Sequence, residues 1–139
     1  MAGQIYLADT SVYVLQRRHP QVRRRFESLL AEGRLAACQM TSLEFLNNAP
    51  DPKSYETLLG ALNGQRWIDV STEAMGRALA THRSLARKSQ HRHFRLPDLI
   101  IAATAELSGV AVLHYDADYD RIAAVTGQPT EWVAPRGTL

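Results

Sequence analysis

Cysteine is almost absent from this chain of 139 residues: Cys38 stands alone, so no internal disulfide can form and stability must come from packing. A reducing compartment suits such a chain, and the cytoplasm is its expected location. Cys38 ends the apolar run Leu35-Ala36-Ala37, which predicts a buried structural thiol rather than a nucleophile. No stretch approaches the roughly 20 apolar residues of a membrane helix, so no membrane association is expected. The opening residues Met1-Ala2-Gly3-Gln4 lack the basic flank and small-residue cleavage site of a signal peptide. Internal repeats, linkers and low-complexity segments are also missing. The 45% apolar content is enough for one continuous core, and a single domain over residues 1–139 is expected.

Lysine is scarce too. Only Lys53 and Lys88 occur, against 14 arginines, and the formal net charge is +2. That modest figure hides an asymmetry. If five of the 14 acidic residues share one cleft, nine face 16 basic residues elsewhere, an excess of about seven positive charges. Such a surface suits a polyanion, and arginine forks onto phosphates better than lysine does. The arginines concentrate at Arg17-Arg18, Arg23-Arg24-Arg25 and from Arg87 to Arg95.

Short apolar runs alternate with helical patterns. Ile5 to Ala8 reads as a strand buried on both faces and closed by Asp9, with Thr10 or Ser11 capping a short helix through Leu15. A helix from Pro20 to Glu32 follows, and then a strand over Leu35 to Met40. Thr41-Ser42-Leu43-Glu44 has the spacing of a capping box, which predicts a helix starting there with Glu44 in its first turn. Lys53 to Leu62 is helical, and Trp67 to Val70 is a third strand. From Thr72 a long helix carries Met75, Leu79, His82 and Ala86 at intervals of three or four, a stripe expected to face the core. Asp98 to Ser108 is a helix behind Pro97, Val110 to Leu113 a fourth strand, Tyr119 to Val125 a helix, and Glu131 to Val133 a last strand. This alternation means an α/β fold: a parallel β-sheet flanked by helices on both faces.

In open parallel sheets, ligands bind beyond the carboxyl ends of the strands where strand order reverses. The acids fall there: Asp9 after the first strand, Glu44 after the second, Asp98 opening a later helix, Asp116 and Asp118 after the fourth strand. Each alone could be a helix cap, but capping does not require every acid to lie on the same rim. Several carboxylates in one cleft oppose joint ionisation unless a cation joins them, and an all-oxygen set selects a hard ion, Mg2+ or Mn2+. The acid-rich run from Asp116 to Asp120 is not an EF-hand, since Arg121 and Gly127 occupy the places of its glycine and glutamate. His91 and His93 lack the further ligands of a zinc site. Asp120 reads as a solvated charge at a helix start, and His82 as a structural histidine at the core margin.

The chain resembles the PIN-domain family, and within it the VapC-type toxins of bacterial toxin–antitoxin modules. The resemblance runs from Ile5 to Val133 and is carried by Tyr6-Leu7-Ala8-Asp9-Thr10-Ser11-Val12, Thr41-Ser42-Leu43-Glu44-Phe45, the segment Leu96-Pro97-Asp98 through Ala105, and Val112-Leu113-His114-Tyr115-Asp116-Ala117-Asp118-Tyr119. It implies a single PIN-like domain that uses Mg2+ or Mn2+ to cut RNA, leaving 5′-phosphate and 3′-hydroxyl ends. Asp9, Glu44, Asp98 and Asp116 take the core catalytic, metal-binding positions, with Asp118 as a more variable fifth acid. Thr10 or Ser11 would steady Asp9 by its hydroxyl. His114 stands where the family usually has a small hydroxyl residue, which removes a hydroxyl role there. Arg17, Arg18, Arg92 and Arg95 are the candidates for gripping RNA phosphates, and Arg92 or Arg95 should act without affecting the metal. A homodimer and a small antitoxin protein whose tail blocks the cleft are further implications.

Two other readings compete. A phosphoaspartate phosphatase would need a second aspartate two residues after Asp9, where Ser11 stands, and a receiver-type domain a late lysine, where none occurs. A non-catalytic RNA-binding domain on the same fold would not need the full set of acids.

Overall fold

The structure, a computed structural model, describes residues 3–139, so the reading of Met1 and Ala2 lies outside it. In chain order, β1 (Tyr6–Ala8) leads into α1 (Thr10–Leu15) and α2 (Pro20–Ala31). Then come β2 (Leu35–Ala37), α3 (Gln39–Leu46), α4 (Pro52–Ala61) and β3 (Arg66–Trp67). The second half is α5 (Thr72–Ala86), a 3-10 turn at His91–His93, α6 (Leu96–Leu107), β4 (Ala111–His114), α7 (Ala117–Thr126) and β5 (Thr130–Trp132). The five strands form one wholly parallel sheet in the order β3-β2-β1-β4-β5. The expected α/β architecture therefore holds.

Alternation along the strands divides the core in two. Leu7, Ala36 and Val112 point to the face covered by α5, α6 and α7, among Ala78, Leu85, Ile101 and Ile122. Tyr6, Ala8, Leu35, Ala111 and Leu113 point to the other face, against Val12, Val22, Phe26 and Phe45 of α1, α2 and α3. Both faces being covered explains why β1 and β2 are uninterrupted apolar runs, and β4 an apolar run up to His114, all buried throughout. From β1 the chain moves outward to β2 and β3, then returns to place β4 on the other side of β1. The reversal lies between β1 and β4, and it opens a crevice at their carboxyl ends.

Two expectations are corrected. The second strand ends at Ala37 and not at Met40, because Cys38 leaves the sheet to cap α3. The Thr41 hydroxyl, three residues into that cap, accepts from the Cys38 N–H and donates back to its carbonyl, each at 3.1 Å. Thr41 thus completes a box with Cys38 and starts none with Glu44, which moves from the first to the second turn of α3. Cys38 itself is buried, as expected.

The second correction concerns α5. Its buried face is Ala74, Ala78, Thr81 and Leu85, whereas Met75 and Leu79 are 48% and 70% exposed and Ala86 is also exposed. Alanines decide this. Ala102, Ala103 and Ala105 are buried on α6, and small residues on both helices let the backbones approach closely, leaving the larger side chains outside. A bidentate ion pair from Arg77 to Glu106, at 2.7 and 3.1 Å, ties the two helices together. Met75, Leu79 and His82 instead line an open apolar groove with Leu96, Leu99 and Ile100. Among the described residues no helix is long and apolar enough to cross a membrane.

Candidate active site

Asp9 leaves β1 at the crevice and caps α1 with its side chain. One carboxylate oxygen, Oδ2, accepts from the Ser11 hydroxyl at 2.8 Å and from its N–H at 3.2 Å. The Ser11 hydroxyl in turn accepts from the Tyr115 N–H at 3.2 Å, which pins the start of α1 to the end of β4. Of the two hydroxyls suggested by sequence, Ser11 is therefore the one that steadies Asp9. Thr10 turns the other way, to Glu44 Oε1 at 3.4 Å.

Asp98 is the third residue of α6, behind Pro97, and is 2% exposed. Asp116 caps α7, its Oδ1 accepting from the Asp118 N–H at 2.9 Å. Asp9, Glu44 and Asp98 each offer a carboxylate oxygen within 4.8 Å of the others, and so do Asp98, Asp116 and Asp118. Two oxygen triads thus share Asp98. The five acids come from four separate segments, as the sequence implied. Oxygen-only donors at this spacing fit a hard divalent cation.

Tyr119, one turn into α7, was read from sequence only as the start of a helix. It is buried beneath the acids, with its hydroxyl 2.8 Å from Asp9 Oδ1 and 3.2 Å from Asp98 Oδ1. Burial raises its pKa well above the ordinary tyrosine value, helped by the charges of Asp9 and Asp98, so the phenol keeps its proton. That single proton faces two carboxylate oxygens. Burial, and then the negative charge of Asp9, push the Asp98 carboxyl up to about 7, against the smaller opposing effects of Arg95 and the Tyr119 hydroxyl. A strained set of acids is what a cation would relieve. The signal for Tyr119 lay in its spacing: three residues after the cap Asp116, it falls on the core-facing side of α7.

Behind Asp116 lies His114, wholly buried, with rings of Tyr119 and Trp132 each 5.0 Å away. Its Nδ1 accepts from the Asp116 N–H at 3.0 Å, placing the imidazole in support of the acid's backbone. Burial lowers its pKa, against the pull of Asp120, Asp9 and Asp116. Asp120 lies exposed in the first turn of α7, as expected of a solvated helix-start charge, and its Oδ2 also accepts from Trp132 Nε1 at 2.9 Å.

Of the four arginines proposed for substrate, only Arg95 touches the acids, through a bond from Nη2 to Glu44 Oε2. Arg92 is exposed in the 3-10 turn nearby, and Arg17 and Arg18 are exposed just after α1. Arg17 lines a separate groove with Asn48, Lys53 and Ser54. A further arginine, Arg121 of α7, bonds Asp118 Oδ1 at 3.2 Å.

The family model for the PIN domain matches residues 6–125, most of the chain and all five acids. The chain belongs to the PIN-domain family. Among its relatives is Ribonuclease VapC18 of Mycobacterium tuberculosis, 43% identical over 137 residues, covering 97% of this chain and 99% of that protein. Ribonuclease VapC51 of the same organism is 45% identical over 134 residues, covering 96% of each. The fold is shared with the DNA-bound VapBC of Salmonella typhimurium, at a TM-score of 0.75, 20% identity and coverage of 95% of this chain and 100% of that one. It is also shared with VapBC2 of Rickettsia felis bound to a promoter DNA fragment, at a TM-score of 0.74, 17% identity and coverage of 92% and 98%. The PIN fold accounts for the topology that gathers the acids, since its chain reversal sets β1 beside β4 and so brings the strand ends that lead to Asp9 and Asp116 to one crevice.

Proposed function

We propose that this PIN domain is a VapC-type endoribonuclease, the toxin of a toxin–antitoxin pair, acting in the cytoplasm with Mg2+ or Mn2+. Asp9, Glu44, Asp98 and Asp116 would hold the ion, with Asp118 completing the second triad. The observation that carries this reading is the pair of carboxylate triads sharing the buried Asp98. When bound, a divalent ion supplies Lewis-acid activation of water and neutralises charge at the phosphate.

The chain's own residues do the rest. Ser11 and Tyr119 fix both oxygens of Asp9, Thr10 orients Glu44, and His114 supports the Asp116 backbone. Water attacks in line at phosphorus, the bond to the 3′ oxygen breaks, and that oxygen takes a proton, leaving a 3′-hydroxyl and a 5′-phosphate. Arg17, Arg18, Arg92 and Arg95 bind substrate phosphates, where their charge releases counterions. A small antitoxin protein covers the cleft, and two copies of the chain form a homodimer. A phosphoaspartate or receiver chemistry is not supported, because Ser11 stands where a phosphatase needs a second aspartate and the chain has no late lysine for a receiver.

The test is cleavage of a mixed RNA pool by purified protein in Mg2+ or Mn2+ against EDTA, with end mapping. Metal-dependent cuts bearing 5′-phosphates, lost by orders of magnitude in Asp98→Asn, are expected. RNA binding without any cutting would overturn the nuclease reading in favour of a binding domain.

A further inference from the structure

In each triad one partly buried acid carries an arginine. Glu44 closes the first triad and bonds Arg95, whereas Asp118 closes the second and bonds Arg121. The two arginines are alike in exposure, at 65% and 63% of the side chain, while their acids are sunk to 11% and 24%. Asp9 and Asp98 are served differently: both bond the buried Tyr119 hydroxyl. Most other arginines with partners are pinned to structure outside the cleft. Arg25 holds the carbonyls of Trp132 and Val133, Arg66 that of Gly33, and Arg77 bridges two helices.

We propose that Arg95 and Arg121 are exchangeable counter-ions of the two triads: without metal they neutralise Glu44 and Asp118, and on metal binding they turn outward to take backbone phosphates of the RNA on either side of the cut. The inference rests on the ribonuclease reading above, and it adds Arg121 to the substrate contacts. A guanidinium and a divalent cation on the same carboxylate repel each other. Arg95 and Arg121 can leave at little cost, because long exposed stems swing without unpacking any core. Their backbones stay in place. Arg95 caps α6, its carbonyl accepting from the Asp98 N–H at 3.1 Å, and Arg121 lies inside α7. Released, both heads lie at the rim where a phosphate facing the acids needs cationic partners, and arginine's planar fork fits that phosphate. Arg95 would in this way answer to the metal as well as to RNA.

The experiment compares metal-free wild type with Arg95→Gln, Arg121→Gln, the double variant, and Arg24→Gln, which removes one equal charge from the exposed face of α2. Mn2+ binding is measured by calorimetry without RNA. Removing either counter-ion should tighten Mn2+ binding about three- to ten-fold, with Arg24→Gln unchanged. In Ca2+, used to allow binding without turnover, each of the two variants should bind single-stranded RNA more weakly, with the salt dependence lowered by about 0.7 per arginine. Unchanged or weaker Mn2+ binding in both single variants overturns the inference while leaving the nuclease reading standing, and a response from Arg95→Gln alone overturns it for Arg121. If wild type and variants all fail to bind Mn2+, the metal reading falls and the inference with it.

Discussion

Metal binding at Asp98 should be strongly pH-dependent between pH 6 and 8. Its carboxyl sits at about 7 in the metal-free protein, because it is buried beside Asp9. A metal needs the ionised form, so binding must expel whatever proton is there. At pH 6 about ten in eleven molecules carry that proton, and at pH 8 about one in eleven, by the ordinary titration relation. The apparent Mn2+ affinity should therefore rise about ten-fold from pH 6 to pH 8. About 0.9 proton should be released per ion at pH 6 and about 0.1 at pH 8. Calorimetric titration in buffers of different ionisation enthalpy measures both quantities at once. A flat affinity with no proton release at pH 6 would refute the reasoning, since it would mean that Asp98 is already ionised beside Asp9.

The same group makes a stability prediction of the opposite sense. Its folded pKa lies above the unfolded value, so the native state holds the extra proton and the metal-free protein should lose stability as pH rises from about 4 to 7, by up to about 4 kcal/mol. Denaturant unfolding in EDTA checks this, and Mn2+ should restore the loss at pH 7. Asp51 and Asp69, held below the usual carboxylate range by hydrogen bonds, lose their contributions only below about pH 4, outside that window. Tyr119→Phe keeps the ring but removes the donor to Asp9, and should destabilise the metal-free protein by about 1–3 kcal/mol. No change in its unfolding midpoint would mean the two short contacts carry nothing. On α5, Leu85→Ala should cost about 2–5 kcal/mol, whereas Leu79→Ala should cost less than about 0.5 in the monomer. Equal costs would place both residues in the core.

What could be read from sequence depended on whether one residue or a pair of surfaces decided the outcome. The acids were legible because a parallel sheet sends every strand's carboxyl end to one rim, so Asp9 and Asp116 needed only correct strand ends and Asp98 only the start of the helix that leads back into β4. Glu44 reached the same cleft although its helix began earlier than expected. Moving from the first to the second turn left it near the rim, where Thr10 and Arg95 meet it. The α5 stripe failed for a different reason. A hydrophobic pattern weighs Met75 and Leu79 above Ala74 and Ala78, but the seam between α5 and α6 is chosen by closeness of approach, which favours the alanines of both helices. That choice requires knowing the partner helix, which no single-segment pattern contains. Tyr119 was hidden for a related reason, since a tyrosine in a helix reads as ordinary core until its hydroxyl is found between two carboxylates. The arginine partners of Glu44 and Asp118 lie at the same limit. One is 51 residues away in sequence and the other only three, and the likeness of their roles emerges only from the shared cleft.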